Sequence, residues 1–235
     1  MKKKIYAALT AVCILSLPIL AAENLPISIT ADTLEYDGKT GEAVASGNVV
    51  VIRDQQRLTA PAANFNVKTE SGRFTGGVVM TGPELNMTAA EVELHNRNQV
   101  IARGGVQAQR EDKKLAGDVV EYNMETEYGT AAGNAFAESE GTSLWADSIQ
   151  AWMKEVRAVG EGHVRIVSEE HQLTATGDRA TYTQTPNKND GVVFLSGNAK
   201  AVQNGNTLES PELEIHMDNN SAKTNGRSTL VVTPQ

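Results

Sequence analysis

Several ordinary signposts are missing from this 235-residue chain. It has one cysteine, Cys13, so no intrachain disulfide can form and the fold must be held by sheet hydrogen bonds and apolar packing. It has no basic run within residues 27–235, and its 29 acids outnumber 21 lysines and arginines to give a net charge of −8. That balance disfavours nucleic acid and a direct grip on anionic lipid headgroups. No linker rich in proline and glycine and no break in composition divides residues 27–235, which therefore read as one domain. Catalytic and metal-binding patterns are also missing. The four histidines, His95, His163, His171 and His216, fall at no metal-ligand spacing. His163 and His171 are placed to be neighbours across a hairpin, but they read better as solvated turn residues. Gly160-Glu161-Gly162 opens no helix and so is no phosphate loop. Glu138, Glu140, Glu169 and Glu170 read as solubilising charge on polar turns. The expectation is a protein that is not an enzyme and carries no cofactor or metal.

The chain begins with Lys2, Lys3 and Lys4, followed by an uncharged stretch from Ile5 to Ala22 and the first acid at Glu23. This is the layout of a secretory signal, with a peptide over 1–22, a short linker over 23–26 and the domain over 27–235. The apolar stretch is also at the lower limit for spanning a bilayer, so a retained anchor is the alternative. Cys13 lies inside it, after Val12, which is too large for a lipoprotein cleavage box. The leader holds three of the basic residues and no acid, so its removal takes the net charge from −8 to −11.

What fills the rest of the chain is repetition. A phrase of the form Leu-Thr-Ala, followed by an alternating apolar pair, recurs with its alanine or a stand-in at Ala31, Ala60, Ala89, Gly117, Ala146, Ala175 and Ser210. About a dozen residues later comes a Gly-x-Val phrase, with glycines at 47, 76, 104, 133, 162, 197 and 226. A fixed period of about 29 residues with two short apolar runs per unit and no helical periodicity means one β unit stacked seven times.

The apolar pairs stand three and five residues after the alanine in most copies, as in Leu34/Tyr36, Val92/Leu94 and Val120/Tyr122. A spacing of two puts both members on one strand face. The apolar residue two before the alanine is out of step with them, so each strand must change phase at the alanine, by a bulge or a sheet corner. Pro61 and Pro211 stand just after it where other copies have aspartate. Proline has no amide to donate, so that amide is expected to be unpaired in every copy. In the second half of each unit the phase is kept through the glycine, as Ala43, Ala45, Gly47, Val49 and Val51 show. Two strands per unit give about fourteen, as an antiparallel jelly roll or a parallel β-solenoid. Corresponding positions vary between Ala, Leu, Tyr and Phe rather than forming identical ladders, which favours the antiparallel form.

The sequence resembles the OstA-like, or LptA-like, family of lipopolysaccharide transport proteins. The likeness is carried by Ile29-Thr30-Ala31-Asp32-Thr33-Leu34-Glu35-Tyr36, by Ala45-Ser46-Gly47-Asn48-Val49, and by later copies such as Gly117-Asp118-Val119-Val120-Glu121-Tyr122 and Ala132-Gly133-Asn134-Ala135. The resemblance implies an all-β, twisted, semi-open β-jelly roll in the periplasm that cradles lipid A acyl chains. It also implies strand-to-strand joining with other Lpt-type β-jelly-roll proteins at the inner and outer membranes, forming part of a bridge, with head-to-tail self-association. A membrane-anchored inner-membrane partner of the same system, or a ligand-free secreted structural β-solenoid, are the alternatives.

On this reading the inward positions line the lipid groove: Leu34, Tyr36, Val49, Phe65, Val78, Met80, Val92, Leu94, Val106, Val120, Tyr122, Ile149, Val164 and Ile166. The same residues can instead fill a closed core. Each buried methylene contributes about 0.8 kcal/mol, so ~10 methylenes of acyl chain give roughly 8 kcal/mol before ordering costs, enough without a charged clamp. The first strand, with Ile27 and Ile29, and the last, with Leu230 and Val232, carry no gatekeeping charge and are the expected partner edges. Sequencing the exported protein from its N-terminus is expected to start at Glu23; an intact Met1 in the membrane fraction would mark a retained anchor.

Overall fold

Turn-forming stretches between the apolar runs, such as Asp37-Gly38-Lys39-Thr40 and Lys68-Thr69-Glu70-Ser71, close successive hairpins. The outcome in the computed structural model is a single antiparallel meander. The structure describes residues 26–233 apart from 84, 97, 140 and 189, and the expected leader lies outside them. The central strands are β3 (Glu42–Arg53), β4 (Gln56–Asn66), β5 (Ser71–Thr81), β6 (Asn86–His95), β7 (Gln99–Arg110) and β8 (Lys113–Asn123). They continue with β9 (Tyr128–Ser139), β10 (Thr142–Trp152), β11 (Arg157–Ser168), β12 (Leu173–Thr183), β13 (Val192–Gln203) and β14 (Asn206–His216). At the two ends the outermost strand is broken in two. β1 (Ser28–Thr30) and β2 (Thr33–Tyr36) both pair with β3, and β15 (Ser221–Asn225) and β16 (Thr229–Val231) both pair with β14. Seven units of two strands are thus present as sixteen segments. Every pairing is antiparallel, which decides against the solenoid.

Each central strand bends once, at the repeat alanine or glycine. The ladder between β3 and β4 shifts between Ser46 and Val49, and the same shift recurs from β4–β5 through β13–β14. On the even-numbered strands the burial phase changes there, as Ala60 and Ala63 are both buried three residues apart. The bend divides the sheet into a first limb, which contains β1 and β16, and a second limb, which contains β2 and β15. Inner-face side chains of both limbs form one cluster. Among the described residues every element belongs to the one sheet, so only the facing limb can cover each inner surface. A single bent sheet supplies both layers of the jelly roll.

The bend has a specific chemistry. Gly47 adopts φ +72° and Asn48 φ +47°, left-handed values that glycine and asparagine tolerate best. A Cβ on Gly47 would fall on the Asp32 side chain, while Asn48 Nδ2 donates to Asp32 Oδ2 at 2.9 Å. Asn198 donates to Asp178 in the same way, and His163 pairs with Asp147. The repeat glycine is therefore a corner residue, so of the tight packing or bend that its position in the phase of the apolar residues allowed, the structure has the bend. The amide after the alanine is also paired at the first corner, since Asp32 N–H donates to Gly47 O at 2.8 Å.

The sixth unit shows the corner rule most clearly. Val164 lies opposite Gly177 and the corner aspartate is Asp178, whereas in the second unit Val49 lies opposite Ala60. Gly177 is thus the sixth counterpart of Ala60. Ala175, which the spacing suggested, occupies the place of Leu58 two residues earlier.

The outer face is mostly polar, with scattered apolar side chains such as Val44, Ile52, Val79 and Phe194, and it carries two aromatic ladders across β9, β10 and β11. Phe136 and Trp145 stack at 5.2 Å with Arg165 over the indole, and Tyr128 and Trp152 stack at 5.1 Å with Arg157 over the second indole. Such cross-strand and cation–π pairs stiffen the middle of the sheet. Partial burial pushes the Tyr128 hydroxyl above its usual range, and the charge of Glu121 adds to it.

Corner geometry gives a paired test. Gly104 has φ +80° and a Cβ there would lie 2.5 Å from that of Ala90, whereas Gly105 has φ +64° and open space. Gly104→Ala should lower stability by about 2 kcal/mol in urea unfolding. Gly105→Asn, the residue found at three other corners as Asn48, Asn134 and Asn198, should change it by less than about 0.5 kcal/mol.

Candidate binding groove and sheet edges

Alternation within each limb sends every second side chain inward, and the corner restores that phase on the other side. Val49, Phe65, Val78, Met80, Val92, Leu94, Val106, Val120, Tyr122, Ile149, Val164 and Ile166 all point inward and are at most 8% exposed. They belong to one continuous cluster that runs the length of the stack. Leu34 and Tyr36 lie opposite Ala45 and Ala43 and so share the same face, yet they are 47% and 59% exposed because no further strand covers β2. The residues expected to line a groove are thus brought together as a closed apolar interior, with Leu34 and Tyr36 at its open N-terminal end.

At the C-terminal end a cavity of about 170 Å³ opens between the limbs. Leu173, Ala201 and Leu208 line it from the first limb, Ile215 and Met217 from the second, and Leu230 from β16. Here the two lips of the bent sheet touch. His171, in the turn after β11, places Nδ1 2.9 Å from Oδ1 of Asn220, in the turn before β15. His171 is therefore no neighbour of His163, which sits at the corner at the other end of that half-strand.

The two lips differ in chemistry, a feature the sequence reading missed. Beside the second-limb turns the inner face is mostly apolar, with Leu94, Tyr122, Ala151 and Ile215, and Met124, Met153 and Met217 pack beyond it, the buried Gln184 being the polar exception. Unbranched methionine adapts readily to whatever it touches. Beside the first-limb turns the inner positions are largely polar: Arg53 and Gln56, then Arg110 and Lys113, then Ser139, Thr142 and Ser168. Thr142 Oγ1 bonds to Ser168 Oγ at 3.2 Å in this buried row. The signal was available, because these residues keep the inward phase of Val51, Ala108 and Ala137 to the strand end.

The edges carry the remaining expected contacts. Ile27 and Ile29 pack partly against the core, so on β1 only the backbone row is open, whereas Leu230 and Val232 are each 63% exposed. Glu138, read as a turn residue, is in β9 and pairs with Lys114 at 2.7 Å. Among the described residues no group of three or more His, Cys, Asp or Glu is placed to hold a metal ion. No helix there is long and apolar enough to cross a membrane.

A family model described as LptA/(LptD N-terminal domain) LPS transport protein matches residues 28–221. The chain belongs to this family of lipopolysaccharide transport proteins. The unclosed, twisted antiparallel sheet of this LptA-like chain is the β-jelly roll expected from the resemblance. Among solved structures it is similar to LptH from Pseudomonas aeruginosa, described as the LptA homologous periplasmic component of the conserved lipopolysaccharide transport device. That likeness has 16% identity over 89% of this chain and 96% of the other, with a TM-score of 0.19. At that score the fold assignment rests on the strand order and register above. No curated protein matches. A role in lipopolysaccharide transport, a non-enzymatic one, follows from the family.

Burial separates the inner positions into two classes that mutation distinguishes. Ile149→Ala should cost about 3 kcal/mol in chemical unfolding, as a core cavity does. Tyr36→Ala, at the open end, should cost less than about 1 kcal/mol.

Proposed function

We propose that this LptA-like chain is a periplasmic lipopolysaccharide carrier. Its interior receives lipid A acyl chains, and its edges join it head to tail to β-jelly-roll partners at the inner and outer membranes. The observation that carries this reading is an apolar interior running from one open edge of the sheet to the other, exposed at Leu34 and Tyr36 and cavity-lined beneath Leu230. Such a surface suits a long acyl chain. Entry requires the limbs to part. The hinge for that motion is the corner, which is continuous backbone, while the described contact between the lips is the His171–Asn220 side-chain pair.

β1 and β2 pair only with β3, and β15 and β16 only with β14, so each end of the sheet keeps an unpaired row of backbone groups. Joining the C-terminal edge of one molecule to the N-terminal edge of the next pairs both rows and aligns the interiors. Because the two edges differ, such contacts are heterologous and propagate.

Two experiments test the two halves of the reading. With a photo-crosslinking residue at Tyr36, Phe65 or Ile149, lipopolysaccharide should be captured in cells. If no inward position captures it while the fold is intact, these side chains are core alone. Deleting residues 228–235, or Leu230→Pro, should abolish concentration-dependent oligomers in sedimentation while leaving the β spectrum unchanged. Unaltered assembly in both variants rules the edge contact out.

A further inference from the structure

Polar groups left without partners inside a protein are costly, and each one retained calls for an explanation. Two residues at the polar lip hold such groups. Gln56 opens β4 on the inner face, directly across from Arg53, and is 4% exposed. Neither its Oε1 nor its Nε2 has a hydrogen-bond partner. The amide lies over Gly82, where a Cβ would displace it, so the space it occupies depends on that glycine. At the other end of the same lip, His171 lines the C-terminal cavity and its Nε2 is buried without a partner. Nδ1 faces Asn220 Oδ1, and Nε2 is the ring nitrogen left to pair with a ligand.

Both residues sit at first-limb turns, one near each edge of the sheet, and the opposite lip is mostly apolar, with the amide of its buried Gln184 already bonded to Tyr182 and Lys188. We propose that the first-limb lip is the headgroup side of the groove, where the Gln56 amide and the His171 imidazole are hydrogen-bonding anchors for the hydroxyl-rich sugar head of a bound glycolipid. The proposal rests on the carrier reading and adds the orientation of the ligand. Acyl chains lie against the inner aliphatic rows, and the sugar emerges over the first-limb turns. Gln56 donates through Nε2 and accepts through Oε1, a pairing that suits a hydroxyl group, and His171 Nε2 pairs with another. Asp54, Glu169 and Glu170 stand exposed in the adjoining turns and Arg53, Arg110 and Lys113 hold inner positions of the same lip, so its charge is mixed and the two anchors themselves address hydroxyls. An anchor near each edge holds the head where the ligand would enter and leave.

The test compares full-length mature protein binding two probes, purified lipopolysaccharide and a fluorescent fatty acid that has acyl chain without sugar. Gln56→Leu keeps the volume and removes the amide. It should weaken lipopolysaccharide about tenfold, leave the fatty acid unchanged and raise the melting temperature, because an unpartnered buried amide is gone. His171→Leu should weaken lipopolysaccharide selectively too, whereas Asn220→Ala, which breaks the lip contact but keeps the imidazole, should not. If Gln56→Leu lowers the melting temperature or fails to fold, the amide is bonded to buried water as a structural group and its assignment as an anchor is wrong. Equal loss of both probes in the Leu variants, or no loss, overturns the orientation alone. Wild-type protein that binds neither probe overturns the carrier reading, and the orientation with it.

Discussion

Every strand of the stack must turn through the same corner, and the fold depends on it. A flat sheet of fourteen strands would expose a whole apolar face, and no helix or second sheet is described to cover it. Bending each strand at the same level lets the sheet cover itself. The bend needs left-handed backbone at the repeat glycine and its successor, and a neighbour compact enough to fill the space where a side chain would be. Asp32, Asp118, Asp147 and Asp178, Pro61 and Pro211, or Ala90 fill it. This explains why aspartate, proline and alanine, so unlike chemically, share one position of the repeat. All are short, and the carboxylate can also bond to the Asn or His that follows the glycine.

Self-covering has consequences for the two ends and for the open side. A meander has no partner for its first and last strands, and here both of these break at the corner into short segments that leave backbone rows open. Along the open side no disulfide joins the limbs, since residues 27–235 hold no cysteine. Cohesion there comes from apolar packing and side-chain contacts between the lips. The same architecture that closes the interior in this state makes the lips the natural place for it to part.

The distribution of polarity fits that picture. Apart from Arg53, Arg110 and Lys113 at inner positions of the first-limb lip, charge lies on the outer face and the turns, where pairs such as Arg73–Glu91 and Lys200–Glu209 cross neighbouring strands, and solvent-exposed pairs of this kind contribute little to stability. The interior is otherwise apolar, and its buried polar positions lie mainly on the first-limb lip, with Gln184 at the other lip and Ser210 at a corner. A domain that served only as a spacer would have no use for that asymmetry, whereas a carrier of amphiphiles would.

Much of this was legible in the sequence. The 29-residue period fixed the number of bent strands, the two-residue spacing of pairs such as Val92/Leu94 and Val120/Tyr122 fixed their inner faces, and the odd step at the alanine located the bend. These follow from local rules, since side-chain direction alternates along any strand and a change of phase needs an extra residue. Tertiary structure alone decided what the local pattern left open. Whether Tyr36 and Phe65, equivalent in the repeat, are exposed or buried depends on whether another strand lies beyond them. That Gly177 and not Ala175 marks the sixth corner follows from cross-strand register, which no spacing along one strand can specify. The meeting of His171 with Asn220, 49 residues apart, arises because the bent sheet brings its two lips together, a contact made by the fold and by no neighbouring residues in the chain.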